Sequence, residues 1–210
     1  MAVSGHRIPN DARFKEDGPY LDVRHAGYVG AFGALLFMIC WLIMVFIDGD
    51  WSLGTDMVSG LGLSESSIVR NMFAMSCAIS GAAMILCGYS FVRYTPSFWT
   101  KVSYTLSMTG GILLICVGLF DMGYEIHNYC AAAMCVLLIV AVATMGICDC
   151  LEHRYGLVIF SLSLGVFCLL VLLFLPGYDQ SAAIFSLLLW SFVRSCVFIR
   201  LDDKRLEHGL

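Results

Sequence analysis

Charge is scarce in this chain. Asp, Glu, Lys and Arg make up 13% of its 210 residues, where an average soluble domain carries roughly 25%. No basic run occurs and the net charge is −4, which excludes nucleic acid as a partner because binding it needs a concentrated cationic face. No signal peptide is expected either. The residues before 26 include Arg7, Asp11, Arg13, Lys15, Glu16, Asp17, Asp22 and Arg24, whereas a signal sequence has its apolar core much nearer the start. This segment is therefore expected to be a polar cytoplasmic tail.

What fills the chain instead is apolar. Hydrophobic residues make up 60%, and the mean hydropathy is +0.84. A soluble domain of this length still exposes much of its surface and could not hide so much of it. The composition fits a membrane protein. Ten cysteines are present, and nearly all lie in or beside apolar runs, where a free thiol behaves as a small hydrophobe. Reduced thiols are expected rather than a disulfide framework.

Six apolar runs follow the tail, at about 26–47, 68–92, 101–120, 127–148, 155–175 and 181–199. Each is near the roughly 20 residues that cross a ~30 Å hydrocarbon core. Lipid offers the backbone no hydrogen-bond partner, so these runs must be helices. The expected fold is all-α: a polytopic six-helix bundle over 26–199, with tails at 1–25 and 200–210.

Basic residues assign the sides. Arg7, Arg13, Lys15 and Arg24 precede the first run, Arg93 and Lys101 flank the second connection, Arg154 lies in the fourth, and Arg200, Lys204 and Arg205 follow the last run. The alternate loops 48–67, 121–126 and 176–180 hold no Lys or Arg, leaving Arg70 and Arg194 near helix ends. Cytoplasmic loops are enriched in basic residues, so both termini are expected in the cytoplasm of a plasma-membrane protein. Trp51, Tyr124, Tyr129 and Tyr178 mark the outer boundary and Tyr94, Trp99, Tyr104 and Tyr155 the inner one, as aromatic belts do. Thr95-Pro96, Ser64 or Ser66, and Asp179 suit helix starts, and Pro176-Gly177 suits the end of the fifth helix.

Small residues recur at helical spacing: Gly27, Gly30 and Gly33 in the first run, and Ala74, Ala78 and Ala82 beside Ser76, Cys77, Ser80 and Gly81 in the second. Such faces let helices approach closely in lipid. They suit the monomer's own core and also admit a homo-oligomer.

Polar residues gather on the outer side. The first loop supplies Asp48, Asp50, Asp56 and Ser59, then Glu65, Arg70 and Asn71; the loop after the third run supplies Asp121, Glu125, His127 and Asn128. Three chemistries fit these types. His127 with Asp121 and Glu125 has the donor set of a metal site. His127 with Asp121, Glu125 or Asp56 has that of an acid/base pair. Arg70 and Asn71 at a helix start suit a headgroup phosphate. Loop-facing carboxylates also cap helices and face water without further purpose.

Two inner features carry less weight. Cys148-Asp-Cys-Leu-Glu-His153 has metal-binding residue types without zinc-site spacing and reads as a solvated helix end. Arg194, some six residues inside the last run, is expected to snorkel to the headgroups.

Val58-Ser-Gly-Leu-Gly62 with Asn71 and Gly81, and Val117-Gly-Leu-Phe-Asp-Met-Gly-Tyr-Glu-Ile-His127 with Ala131-Ala-Ala133, resemble the two signatures of a six-helix prokaryotic membrane family, domain of unknown function 998. Gly60 stands where that family's loop aspartate would be, and Asp121-Met122 replaces a typical Pro-Glu pair. The resemblance implies the bundle and its topology, singles out Ser59, Asn71 and His127, and brings no established activity. A more distant likeness to eukaryotic six-helix proteins of lipid remodelling and autophagy points, by analogy, to lipid.

These features lead to a protein that binds, and at most processes, a lipid or amphiphile at its extracytoplasmic face. Membrane lipids would be its partners, and no cofactor is named by any motif. A scaffold without chemistry is the first alternative. A solute or ion transporter is the second, weakened because charged residues and Gly/Pro breaks are sparse at the middle of the runs, where transporters place their sites.

Overall fold

The computed structural model describes residues 23–175 and 177–207. The N-terminal tail before residue 23, the Pro176 stop and the capping side chain of Asp179 lie outside the described residues. Six helices follow one another: α1 Val23–Asp48, α2 Ser67–Tyr94, α3 Phe98–Leu119, α4 Glu125–Leu151, α5 Tyr155–Phe174 and α6 Asp179–Glu207. A short 3₁₀ segment, Val58–Leu63, sits within the first loop, and no strand occurs among the described residues. The chain is thus an all-helical protein of membrane type. Five helices (α1–α4 and α6) are long and apolar enough to cross a bilayer; the apolar stretch assigned to α5, Tyr155–Val171, is shorter.

Each helix packs on the next, and α6 returns to α1, closing a ring in chain order. Short turns dictate this from α2 onward, since connections of three to five residues leave successive helices antiparallel neighbours, while α1 and α2 are joined by a longer loop. The girth of the ring is apolar, with Phe32, Leu42, Phe46, Ile139, Leu162 and Leu173 all exposed, as a lipid-facing surface requires. One end carries Arg24, Arg93, Lys101, Arg154 and Arg200 and is termed the basic end below. The other, the loop end, carries the long 49–66 connection.

Small residues set the closest approaches. A Cβ added at Gly33 would lie 2.6 Å from Ala83 Cβ, and one at Gly81 would lie 2.5 Å from the Gly111 carbonyl oxygen. Ser80 reinforces the α1–α2 seam by donating its hydroxyl to the Gly33 carbonyl at 2.9 Å. The buried face of α2 is the one with Ser76, Cys77, Ser80 and Gly81, while Ala82 of the alanine row is exposed.

Two apolar clusters fill the ring. At the loop end, Val58 and Leu61 of the 3₁₀ segment plug a core of Phe37, Trp41, Met44, Val69, Phe73, Cys77 and Val117. At the basic end, Ala26, Cys87, Phe91, Tyr104, Met145, Cys148 and Trp190 form the second. All ten cysteines are free thiols.

Three local expectations are corrected. The α3 N-cap is Ser97, whose hydroxyl accepts the Thr100 N–H at 3.4 Å, while Thr95 closes α2. Tyr104 is buried in the second cluster, not at the interface belt. The segment after 199, read as a tail, continues α6 to Glu207.

Candidate functional site

The three outer connections do meet at the loop end. Gln180 at the α6 start accepts the Val58 N–H at 2.7 Å and donates to Ser59 Oγ at 3.5 Å. Ser59, only 7% exposed, in turn donates to the Met122 sulfur at 3.3 Å. Gly54 and Gly177, both at positive φ, touch beside this junction. Ser59 therefore ties the loop to α6 and to the α3–α4 turn.

The carboxylates serve local turns. Asp48 accepts the Trp51 N–H at 3.0 Å and the Ser64 hydroxyl. Asp56 accepts the Ser52 N–H at 2.8 Å, and Asp121 accepts the Gly123 N–H at 2.8 Å. Glu125 is exposed in the first turn of α4. Arg70 turns back on its own loop, donating to the carbonyls of Ser64 and Glu65, and Asn71 is exposed beside it. His127 is different, being 1% exposed. Its Nδ1 donates to the Phe120 carbonyl at 2.7 Å, because a carbonyl can only accept. Among the described residues its Nε2 is buried without a partner, and no carboxylate is hydrogen-bonded to the ring. No group of three metal-ligating side chains forms among the described residues.

A denser polar site lies inside the ring, toward the basic end. Arg194 of α6 donates from Nη1 to Asp149 Oδ2 of α4 at 2.6 Å, with the two side chains 3% and 1% exposed. The Tyr104 hydroxyl of α3 is their neighbour. Of the five buried side-chain polar atoms that lack a hydrogen bond among the described residues, three belong here: Tyr104 OH, Asp149 Oδ1 and Arg194 Nε. Aromatic rings enclose the pair: the Arg194 guanidinium stands 5.9 Å from the ring centres of both Trp190 and Phe198. Phe91 stacks 4.7 Å from Tyr104 and 4.0 Å from Phe198.

A cavity of about 50 Å³ adjoins this cluster. Tyr104, Ser107, Trp190, Ser191, Arg194 and Ser195 give it a polar side, and Met84, Leu138, Val142 and Leu187 an apolar one. Leu138 lies ~20 Å along α4 from its basic end by the 1.5 Å helical rise, so the cavity reaches from the ion pair toward the middle of the bundle. A volume of that size, with a water needing roughly 10–15 Å³, has room for three to five water-sized groups.

This site corrects two sequence readings. Arg194 does not snorkel: it is buried, and its charge is met inside the ring by Asp149. Asp149 does not belong to a solvated helix end. It continues the buried stripe Leu138–Ala141–Met145–Cys148, and Cys148 is held there by Ser97 and Thr100, with Sγ 3.3 and 3.1 Å from their hydroxyl oxygens. The signal was present in the sequence as an aspartate four residues after Met145 on that stripe. A charge inside an apolar helix face is a functional candidate by default, with its partner to be sought on another helix.

Neither the curated proteins nor the solved structures offered a match to this chain. Comparison with protein families matched residues 31–197 to the family described as "Protein of unknown function (DUF998)", a stretch that holds His127 as well as Tyr104, Asp149 and Arg194. The chain belongs to the DUF998 family.

Proposed function

We propose that this protein spans the membrane six times with both termini in the cytoplasm, and that it binds the head of a lipid or other amphiphile in its interior cavity. The span count is supported by α5, whose 20 residues cover ~30 Å at helical rise. It also takes its place in the ring between α4 and α6. The orientation is supported by the concentration of basic residues at one end.

One observation carries the binding reading: Tyr104 and Arg194, neighbours whose OH and Nε form no hydrogen bond of normal geometry among the described residues, line a cavity that is polar on one side and apolar on the other, with the equally unmet Asp149 Oδ1 behind them. Buried polar atoms are normally satisfied, so a group of them at a cavity marks a place for a missing partner. A lipid-embedded wall that is part polar and part apolar suits a ligand of the same division. The outer residues contribute less to this reading than their sequence suggested. Among the described residues Asp56 and Asp121 are engaged by local backbone N–H groups and none of Asp56, Asp121 and Glu125 is hydrogen-bonded to His127, so the interior cavity has more to support it than acid/base or metal chemistry at the loop end.

Extraction and mass spectrometry of lipid retained by the detergent-purified protein tests the proposal. The wild type is expected to retain an amphiphile that Ser191→Leu and Ser107→Leu, which fill the cavity from α6 and from α3, both release. Identical retained profiles in all three would refute binding at this place.

A further inference from the structure

We infer that the head taken by this cavity is uncharged and hydroxyl-bearing, as in a diacylglycerol, rather than a phosphate; this rests on the reading of the cavity as the binding site. The inference comes from charge and from the direction of the unmet hydrogen bonds.

Arg194 is the one charged residue lining the cavity, and Asp149 already balances it. A guanidinium left unpaired would invite a phosphate, because its Nε and Nη2 donors match two oxygens side-on. Here the same guanidinium carries its counter-ion. An entering phosphate would bury a second negative charge beside Asp149, where desolvation is opposed by no further cation. An uncharged head meets no such opposition.

The unmet atoms are also of mixed sense. At the cavity wall Arg194 Nε can only donate and the Tyr104 hydroxyl does either, while Asp149 stands behind Arg194 and does not line the cavity. A fully ionised phosphate ester only accepts, so it can donate neither to the Tyr104 oxygen nor to the serine oxygens of the wall. A hydroxyl accepts through its lone pairs and donates through its hydrogen, so it serves the Arg194 donor and these hydroxyls alike. Ser107, Ser191 and Ser195 line the same cavity, extending the wall with groups of that dual character. The hydroxyl and the first carbons of the head would fill the cavity, the hydroxyl at Tyr104 and Arg194 and the carbons against Met84, Leu138, Val142 and Leu187, with the acyl chains left outside it.

The test uses two probes with the same acyl chains, dioctanoylglycerol and dioctanoyl phosphatidic acid, added to the full-length protein in neutral detergent and read by native mass spectrometry. Dioctanoylglycerol is expected to be retained about tenfold more, with that retention lost in Ser191→Leu. The charge-neutral double variant Asp149→Asn with Arg194→Gln keeps polar groups while removing the pair, and is expected to narrow the preference to near unity. Equal or greater cavity-dependent retention of the phosphatidic acid would overturn the inference and leave the binding reading intact. Retention of both probes unchanged by Ser191→Leu and by Ser107→Leu would overturn the binding reading and the inference with it.

Discussion

The side chain of Arg194 is buried between α4 and the rings of Trp190 and Phe198, so its counter-charge has to come from within the bundle. Asp149 supplies it through a single contact from Nη1, which leaves Nε and Oδ1 without partners. Removing one member of a buried pair strands the other charge, at a typical cost of about 3–5 kcal/mol, whereas replacing both is far milder. Asp149→Asn and Arg194→Gln are therefore each expected to lower the melting temperature in detergent sharply, and the double variant to recover most of the loss. Additive losses in the double variant would show that the two charges are not coupled. At this scale much of the site was hidden. Arg194 and Asp149 are 45 positions apart in the sequence, and nothing in either segment states that the other faces it. His127, by contrast, stood out in its own segment, and the structure buries it with Nδ1 on the Phe120 carbonyl at the α3–α4 turn.

Between elements, the decisive contacts are made by residues with almost no side chain. Gly81 and Gly111 bring α2 and α3 together so closely that a side chain on Gly81 would strike the Gly111 carbonyl. Gly81→Val is expected to destabilise the bundle by about 1–3 kcal/mol through overpacking, read as a lower melting temperature. Gly165→Ala on α5, where nothing stands within 4 Å, is expected to be neutral or slightly stabilising by removing a poor helix former. A similar response of the two variants would sink the close-approach argument. The helices themselves were legible because lipid forbids any other form for twenty apolar residues. Their ends were less so: Ser97 displaced Thr95 as a cap, and α6 continued into a segment that looked like a tail. Local composition decides whether a helix forms, while its last turns depend on what packs there.

As a whole, the molecule presents Cys150 at the basic end as an exposed thiol, against buried or half-buried thiols elsewhere. If that end is cytoplasmic, a membrane-impermeant maleimide leaves Cys150 unreacted in intact cells and labels it in inverted membrane vesicles. A cysteine placed by Asp50→Cys, in a Cys150→Ser background, is expected to show the opposite pattern. Labelling of both from the same side would contradict the six-span arrangement.

The sequence by itself determined that this is a helical membrane chain, where its helices run and which residues sit at each end, because solvent compatibility and hydropathy act locally along a chain. It also brought the loop residues forward, since polar groups in an apolar chain are conspicuous wherever they stand. Only the tertiary structure decided which of them meet. It dispersed the outer carboxylates into their own turns, set Ser59 at a junction of three connections, and joined Tyr104, Asp149 and Arg194 from three helices beside one cavity. The physical reason is that pairing across helices depends on rotation and depth in the ring, and these are set by small-residue packing between helices rather than by the sequence around any one charge.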